Sequence, residues 1–80
     1  MSMEVRLRLL RGLGKYFPDL PAGGKKLVLP EGTSLGELLG NYHIPGDAVG
    51  LIAVNGLLVK ADRILKDQDD VQLYPPLEGG

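Results

Sequence analysis

Val5, Leu7 and Leu9 alternate with Arg6 and Arg8, a period of two that predicts a half-buried β-strand ending near Leu10. The stretch 11–26, RGLGKYFPDLPAGGKK, is rich in glycine and proline and reads as a turn or long hairpin loop without a helical turn. KLVLP (26–30) is a second strand with Leu27 and Leu29 on one face, closed by Pro30, which has no N–H to give to a ladder. TSLGELLGNY (33–42) predicts the one good helix. Ser34 followed three residues later by Glu37 is a capping-box spacing, and Leu35, Leu38 and Leu39 form one apolar face. Gly36 weakens this helix by roughly 1 kcal/mol relative to alanine, and Gly40 or Asn41 is placed to adopt the left-handed C-terminal conformation. HIPGD (43–47) follows as a loop. GLIAV (50–54) and LLVK (57–60) flank Asn55-Gly56, the pair that favours a type I′ hairpin turn. ADRILKDQDD (61–70) is a turn-rich connection anchored by Ile64 and Leu65. VQLY (71–74) alternates again and stops at Pro75-Pro76.

One helix and four or five strands make two layers, an α+β arrangement with a mixed sheet and the helix on one face. The expected core is Val5, Leu7, Leu9, Leu27, Leu29, Leu35, Leu38, Leu39, Ile52, Val54, Val71 and Leu73. The alternating faces of the first and last strands place them side by side and parallel in the middle of the sheet. The 80 residues correspond to a single domain, 1–80, with 75–80 as an extended tail.

Composition narrows the function classes. Nine basic and ten acidic residues leave a net charge of −1, which lacks the basic excess of nucleic-acid binders. The longest apolar run, residues 48–59, is interrupted by Asn55-Gly56 and is short of the ~20 residues a bilayer requires. The charged residues within MSMEVRLRLL do not fit a signal peptide. The expectation is a cytoplasmic protein without membrane or nucleic-acid partners. There is no cysteine, so neither a disulfide nor a thiolate-bound metal supports the fold. His43, the only histidine, reads as a helix-end or surface residue, and no metal site is expected. Asp67, Asp69 and Asp70 lack the spacing of a calcium loop and read as a solvated acidic turn. Arg6, Arg8 and Arg11 read as an exposed sheet face. No nucleophile–base pair or phosphate-cradling loop stands out, so catalysis by this chain alone is not expected.

The sequence ends LYPPLEGG. Two glycines add little to a core, so read alone they are ordinary slack at a chain end. Read with the elements before them, they carry a resemblance. The order β-β-α-β-β, PEGTSLGELL leading into the helix, VNG in the hairpin, and LKDQDDVQLYPPLEGG at the end are similar to the ubiquitin-like β-grasp proteins. Among these the chain resembles the MoaD/ThiS sulfur carriers, nearest the small subunit of molybdopterin synthase.

That resemblance implies a carrier, not an enzyme. An E1-like adenylating enzyme would activate the carboxylate of Gly80 with ATP, and a sulfur donor would convert it to a thiocarboxylate. An acceptor enzyme, such as a molybdopterin synthase large subunit, would take the sulfur. The carrier itself would bind no cofactor. Gly79 gives clearance around the acyl carbon, and Pro75 and Pro76 stiffen the segment before it. Tyr74, Pro75, Pro76 and Leu77 would contact the partner, Tyr74 either as a docking contact or as a rim residue over the core edge. The absence of cysteine is consistent with sulfur carried only on the C-terminus. Thiamine or other sulfur transfer, a ubiquitin-like protein modifier, and a β-grasp interaction module with an unactivated tail remain alternatives.

Overall fold

The computed structural model describes residues 1–16 and 24–76. Strand β1 (Ser2–Leu9) is followed by a 3-10 turn (Leu13–Tyr16), β2 (Lys25–Pro30), helix α1 (Leu35–Asn41), a second 3-10 turn (Gly46–Ala48), β3 (Leu51–Val54), β4 (Leu57–Val59) and β5 (Asp70–Tyr74). The five strands form one sheet in the order β2-β1-β5-β3-β4. β1 and β5 run parallel, with Leu7 opposite Val71 and Leu9 opposite Leu73, and the other pairs are antiparallel. This is the mixed sheet of the ubiquitin-like β-grasp, with its first and last strands adjacent at the centre as their alternation predicts.

The alternation becomes two faces. Met3, Val5 and Leu7 of β1, Leu27 and Leu29 of β2, Ile52 and Val54 of β3, and Val71 and Leu73 of β5 are buried with Leu35, Leu38 and Leu39 of α1 in one cluster. Leu9, expected in this core, is only partly buried. It lies at the last position of β1. Leu13, Ile44 and Ala53 are buried although their local pattern did not mark them; of the two expected anchors of 61–70, Leu65 is buried and Ile64 is half exposed. The expectation of a turn or long hairpin loop without a helical turn after β1 is corrected by the 3-10 turn, which begins with the Leu13 N–H donating to Leu10 O at 3.2 Å and with Leu13 buried. An apolar residue four positions beyond Leu9 finds core by turning back. Among the described residues no helix is long and apolar enough to cross a membrane.

The helix ends show local chemistry meeting long-range structure. Ser34 Oγ accepts the Glu37 N–H at 3.1 Å, and Glu37 Oε1 accepts the Ser34 N–H at 3.2 Å, completing the capping box. The other unpaired amides of the first turn go to the connection after β4, Leu35 N–H to Arg63 O and Gly36 N–H to Ala61 O, both at 2.9 Å, so no helix-start donor among them is stranded. At the other end the left-handed residue is neither Gly40 nor Asn41 but His43, at φ 56°. The His43 N–H donates to Gly40 O and the Ile44 N–H to Leu39 O, the paired bonds of a Schellman motif. Ile44 is the residue after the left-handed one, and its burial against the cluster holding Leu39 fixes the reversal one position after Tyr42. Histidine is among the residues that tolerate this conformation.

Asn55 and Gly56 take φ 54° and 85°, the type I′ turn their identity predicts. Asn55 does more than turn the chain. Its Nδ2 donates to Asp69 Oδ1 and its Oδ1 accepts the Asp70 N–H, each at 2.9 Å. Asp69 is buried, 4% exposed, and its Oδ2 accepts the Lys66 N–H at 2.8 Å. Asp67 Oδ1 accepts the Glu4 N–H at 2.8 Å, and Asp70 is paired with Arg8. The solvated acidic turn expected from the sequence is therefore corrected in part: Asp67 is exposed and Asp69 is buried, and each of the three carboxylates faces a donor from another part of the fold.

Two outcomes test this packing. Leu38→Ala should lower unfolding free energy by ~2–5 kcal/mol, as buried large-to-small changes do. Asp69→Ala should cost about 1–3 kcal/mol, because it strands the Lys66 amide and the Asn55 side chain. Urea unfolding midpoints measure both.

Candidate functional site

β5 places one side chain in two on each face of the sheet. Val71 and Leu73 are fully covered by the core; Asp70, Gln72 and Tyr74 turn to the face opposite α1. Register assembles that outer face. Arg8, Gln72, Ala53 and Leu58 lie in one row across β1, β5, β3 and β4, and Tyr74 lies beside Leu51 in the next. Leu51 and Leu58 are 44% and 69% exposed, while Tyr74 is half-buried and its hydroxyl donates to Gln72 Oε1 at 3.4 Å. The apolar part of this face thus lies on the β3–β4 side of the C-terminal end of β5.

The other end is charged. Arg8 grips Asp70 with two nitrogens, Nε to Oδ1 at 3.2 Å and a terminal nitrogen to Oδ2 at 2.5 Å. Both side chains are about one-third exposed, at 31% and 36%, so water screens the pair and its contribution to stability is small. The fork still ties Arg8 of β1 to Asp70 of β5 across this face. A further pair, Lys26 with Glu4 at 3.5 Å, lies on the neighbouring strands. The face is therefore an apolar patch bordered on one side by neutralised charges, an arrangement suited to a protein partner.

The end of β5 is held from both sides. Leu10 N–H donates to Leu73 O at 2.9 Å, and Gly50 N–H donates to Tyr74 O at 2.7 Å. Pro75 and Pro76 have no N–H, so backbone pairing stops there. Pro75 is half-buried and Pro76 exposed. The residues singled out from sequence therefore divide. Tyr74, Pro75 and Pro76 come together at the end of the central strand, and Tyr74 faces away from the core. Leu77, Gly79 and Gly80 lie outside the described residues.

Sequence reasoning placed Tyr74 at the partner surface, and the exposed Leu51 lies beside it. It missed Leu58. The signal available was the hairpin register, since a two-residue turn at Asn55-Gly56 sets Leu58 opposite Ala53. It also missed the Arg8–Asp70 pair, which depends on the parallel register of strands 60 residues apart and has no local signature.

Solved structures share this fold at low identity. A Pyrococcus furiosus protein assigned provisionally as molybdopterin converting factor, subunit 1, is similar with a TM-score of 0.71 and 22% identity, over 94% of this chain and 99% of that one. The complex of subunits 1 and 2 of molybdopterin-converting factor from Helicobacter pylori contains a chain similar with a TM-score of 0.59 and 24% identity, over 98% of this chain and 100% of that one. Small archaeal modifier protein 1 of Haloferax volcanii is similar with a TM-score of 0.64 and 15% identity, over 94% of this chain and 99% of that one. No curated protein sequence matches the chain. The sequence of residues 17–80, which contains the helix, the hairpin, β5 and the tail, matches the ThiS family. With a match over most of its length and the β-grasp sheet of the ubiquitin-like carriers, the chain belongs to the ThiS family.

Proposed function

We propose that the protein is a sulfur carrier activated at Gly80 and that its outer sheet face docks the enzymes that load and unload it. The observation that carries this reading is the position of β5. The strand preceding the tail is the central strand of the sheet, and it ends at the half-buried Tyr74 beside the exposed Leu51 of β3, with the exposed Leu58 one strand further out on β4. A partner that binds this patch is adjacent to the start of the tail, with Pro75-Pro76 as a stiff spacer and Gly79-Gly80 as its narrow end.

The chemistry follows from the group at that end. A carboxylate is ionised at neutral pH, with a reference pKa of ~3.5, and is a poor acyl donor. In the proposed reaction an oxygen of the Gly80 carboxylate attacks the α-phosphate of ATP and pyrophosphate leaves, giving an acyl adenylate. A sulfur donor then displaces AMP and leaves the thiocarboxylate. The adenylating partner supplies the nucleotide site, and this chain supplies the carboxylate, the reach and the docking face. Glycine at 79 and 80 lets the partner close around the acyl carbon without meeting a side chain.

The acceptor in this reading is a larger subunit that holds a precursor of a molybdopterin-type cofactor. The similarity to a chain found in a complex of molybdopterin-converting factor subunits supports that destination, and the ThiS family match is equally at home with a thiamine-type acceptor. The similarity to a small archaeal modifier protein favours one second reading, transfer of the activated tail to a lysine amine. Intact mass of the protein from its own host separates them. An oxygen-to-sulfur exchange on the chain marks a carrier, and covalent adducts with other proteins mark a modifier.

Two outcomes are expected. Deleting Gly80 should leave the thermal melt unchanged and abolish pyrophosphate exchange with the adenylating enzyme, because the acyl carbon no longer reaches the nucleotide. Equal exchange by the shortened chain would show that the tail is not activated. Leu58→Asp should change stability by no more than about 0.5 kcal/mol, as exposed positions do. It should weaken binding to the adenylating enzyme about tenfold or more, a loss of ~1.4 kcal/mol measurable by titration calorimetry.

A further inference from the structure

Gly50 lies between the second 3-10 turn and β3, where β5 gives way to the prolines. Its N–H holds Tyr74 O, and its Cα faces the tail. A Cβ at this position would lie 2.4 Å from Pro76 Cα, 2.8 Å from Pro75 O and 2.8 Å from Pro76 N. Non-bonded carbons prefer about 3.5–4.0 Å. All three neighbours are backbone atoms, so no rotamer change relieves the overlap.

The backbone angles of Gly50 do not demand glycine. The glycines with positive φ among the described residues are Gly12, Gly24, Gly32 and Gly56. Position 50 therefore accepts the φ of an ordinary residue, and what excludes a side chain is the close passage of the tail. Pro75 and Pro76 cannot donate a backbone hydrogen bond to secure their path. Their course is set by ring-restricted dihedrals and by the surface they lie on, and Gly50 is part of that surface.

The geometry points to Gly50 as a positioning residue that seats the Pro75–Pro76 backbone against the start of β3 and so sets the direction in which the tail leaves the sheet. Its consequence for activation rests on the carrier reading; the seating itself does not. A misplacement of about 1 Å at a reacting group can cost on the order of a hundredfold in rate, so a displaced seat acts on turnover while the docking patch is untouched.

The sequence contains no cysteine, so Glu78→Cys introduces a single thiol for a nitroxide label on the tail. Paramagnetic broadening of the domain's amides then maps where the tail lies, with no partner present. Gly50→Ala should stay folded, by its amide spectrum and a cooperative melt, and should give a different broadening map. In a Pro75→Gly, Pro76→Gly background, where the tail can yield, the same substitution should leave the map unaltered. Identical maps with Gly50 and with Gly50→Ala in the proline-containing chain overturn the proposal. In pyrophosphate exchange without the label, Gly50→Ala should lower kcat about tenfold and change KM less than about twofold, the pattern of an interaction used after docking. A shifted map with unchanged kcat overturns the link to activation. Absence of exchange by the unaltered chain counts against the carrier reading, and the broadening maps still decide the seating.

Discussion

The parallel pairing of β1 with β5 is the contact on which the rest of the structure depends. A parallel pair cannot be joined by a tight turn, and here almost the whole chain between Leu9 and Asp70 serves as the connection. β2 extends the sheet on one side of this pair and the β3–β4 hairpin on the other. The helix covers the face that both central strands bury. Removing β5 leaves two separate hairpins, β1–β2 and β3–β4, and an isolated two-stranded hairpin is marginally stable at best.

The second requirement is that the 61–70 connection bring β5 to the right register. Its carbonyls at Ala61 and Arg63 take the first amides of α1, and Leu65 N–H reaches Thr33 O at 2.9 Å. Further along, Gln68 N–H donates to Glu4 O, and Arg6 N–H donates to Asp69 O. The turn therefore continues β5's pairing with β1 beyond the strand itself. Asp69 and Asn55 then lock the turn to the hairpin tip. A chain this small, with no disulfide, gains its order from backbone groups that each have a long-range partner.

Much of this was legible in the sequence because the signals are local. Period two gave β1 and β5, the Ser34–Glu37 spacing gave the capping box, and Asn55-Gly56 gave the hairpin turn. What escaped depends on contacts distant in sequence. His43 becomes the left-handed residue because Ile44 must enter the core, and Asp69 is buried because Asn55 meets it. Leu13 has little pattern around it and is buried by tertiary closure. The candidate site divides in the same way. Tyr74 on the outer face follows from alternation with Leu73. Leu58 requires the hairpin register, and Gly50 requires knowing which backbone crosses it.

The central place of β5 also governs how the molecule can be made. Its partners on either side are already synthesised when Asp70 is added, yet they cannot form the sheet without it. During translation β1 must wait unpaired on one edge until residues 70–74 have emerged from the ribosome, since contacts between distant segments form only after the intervening chain exists. A product cut short before β5 lacks the middle of its sheet. The complete sheet thus forms only on chains whose synthesis has reached the strand from which the tail departs.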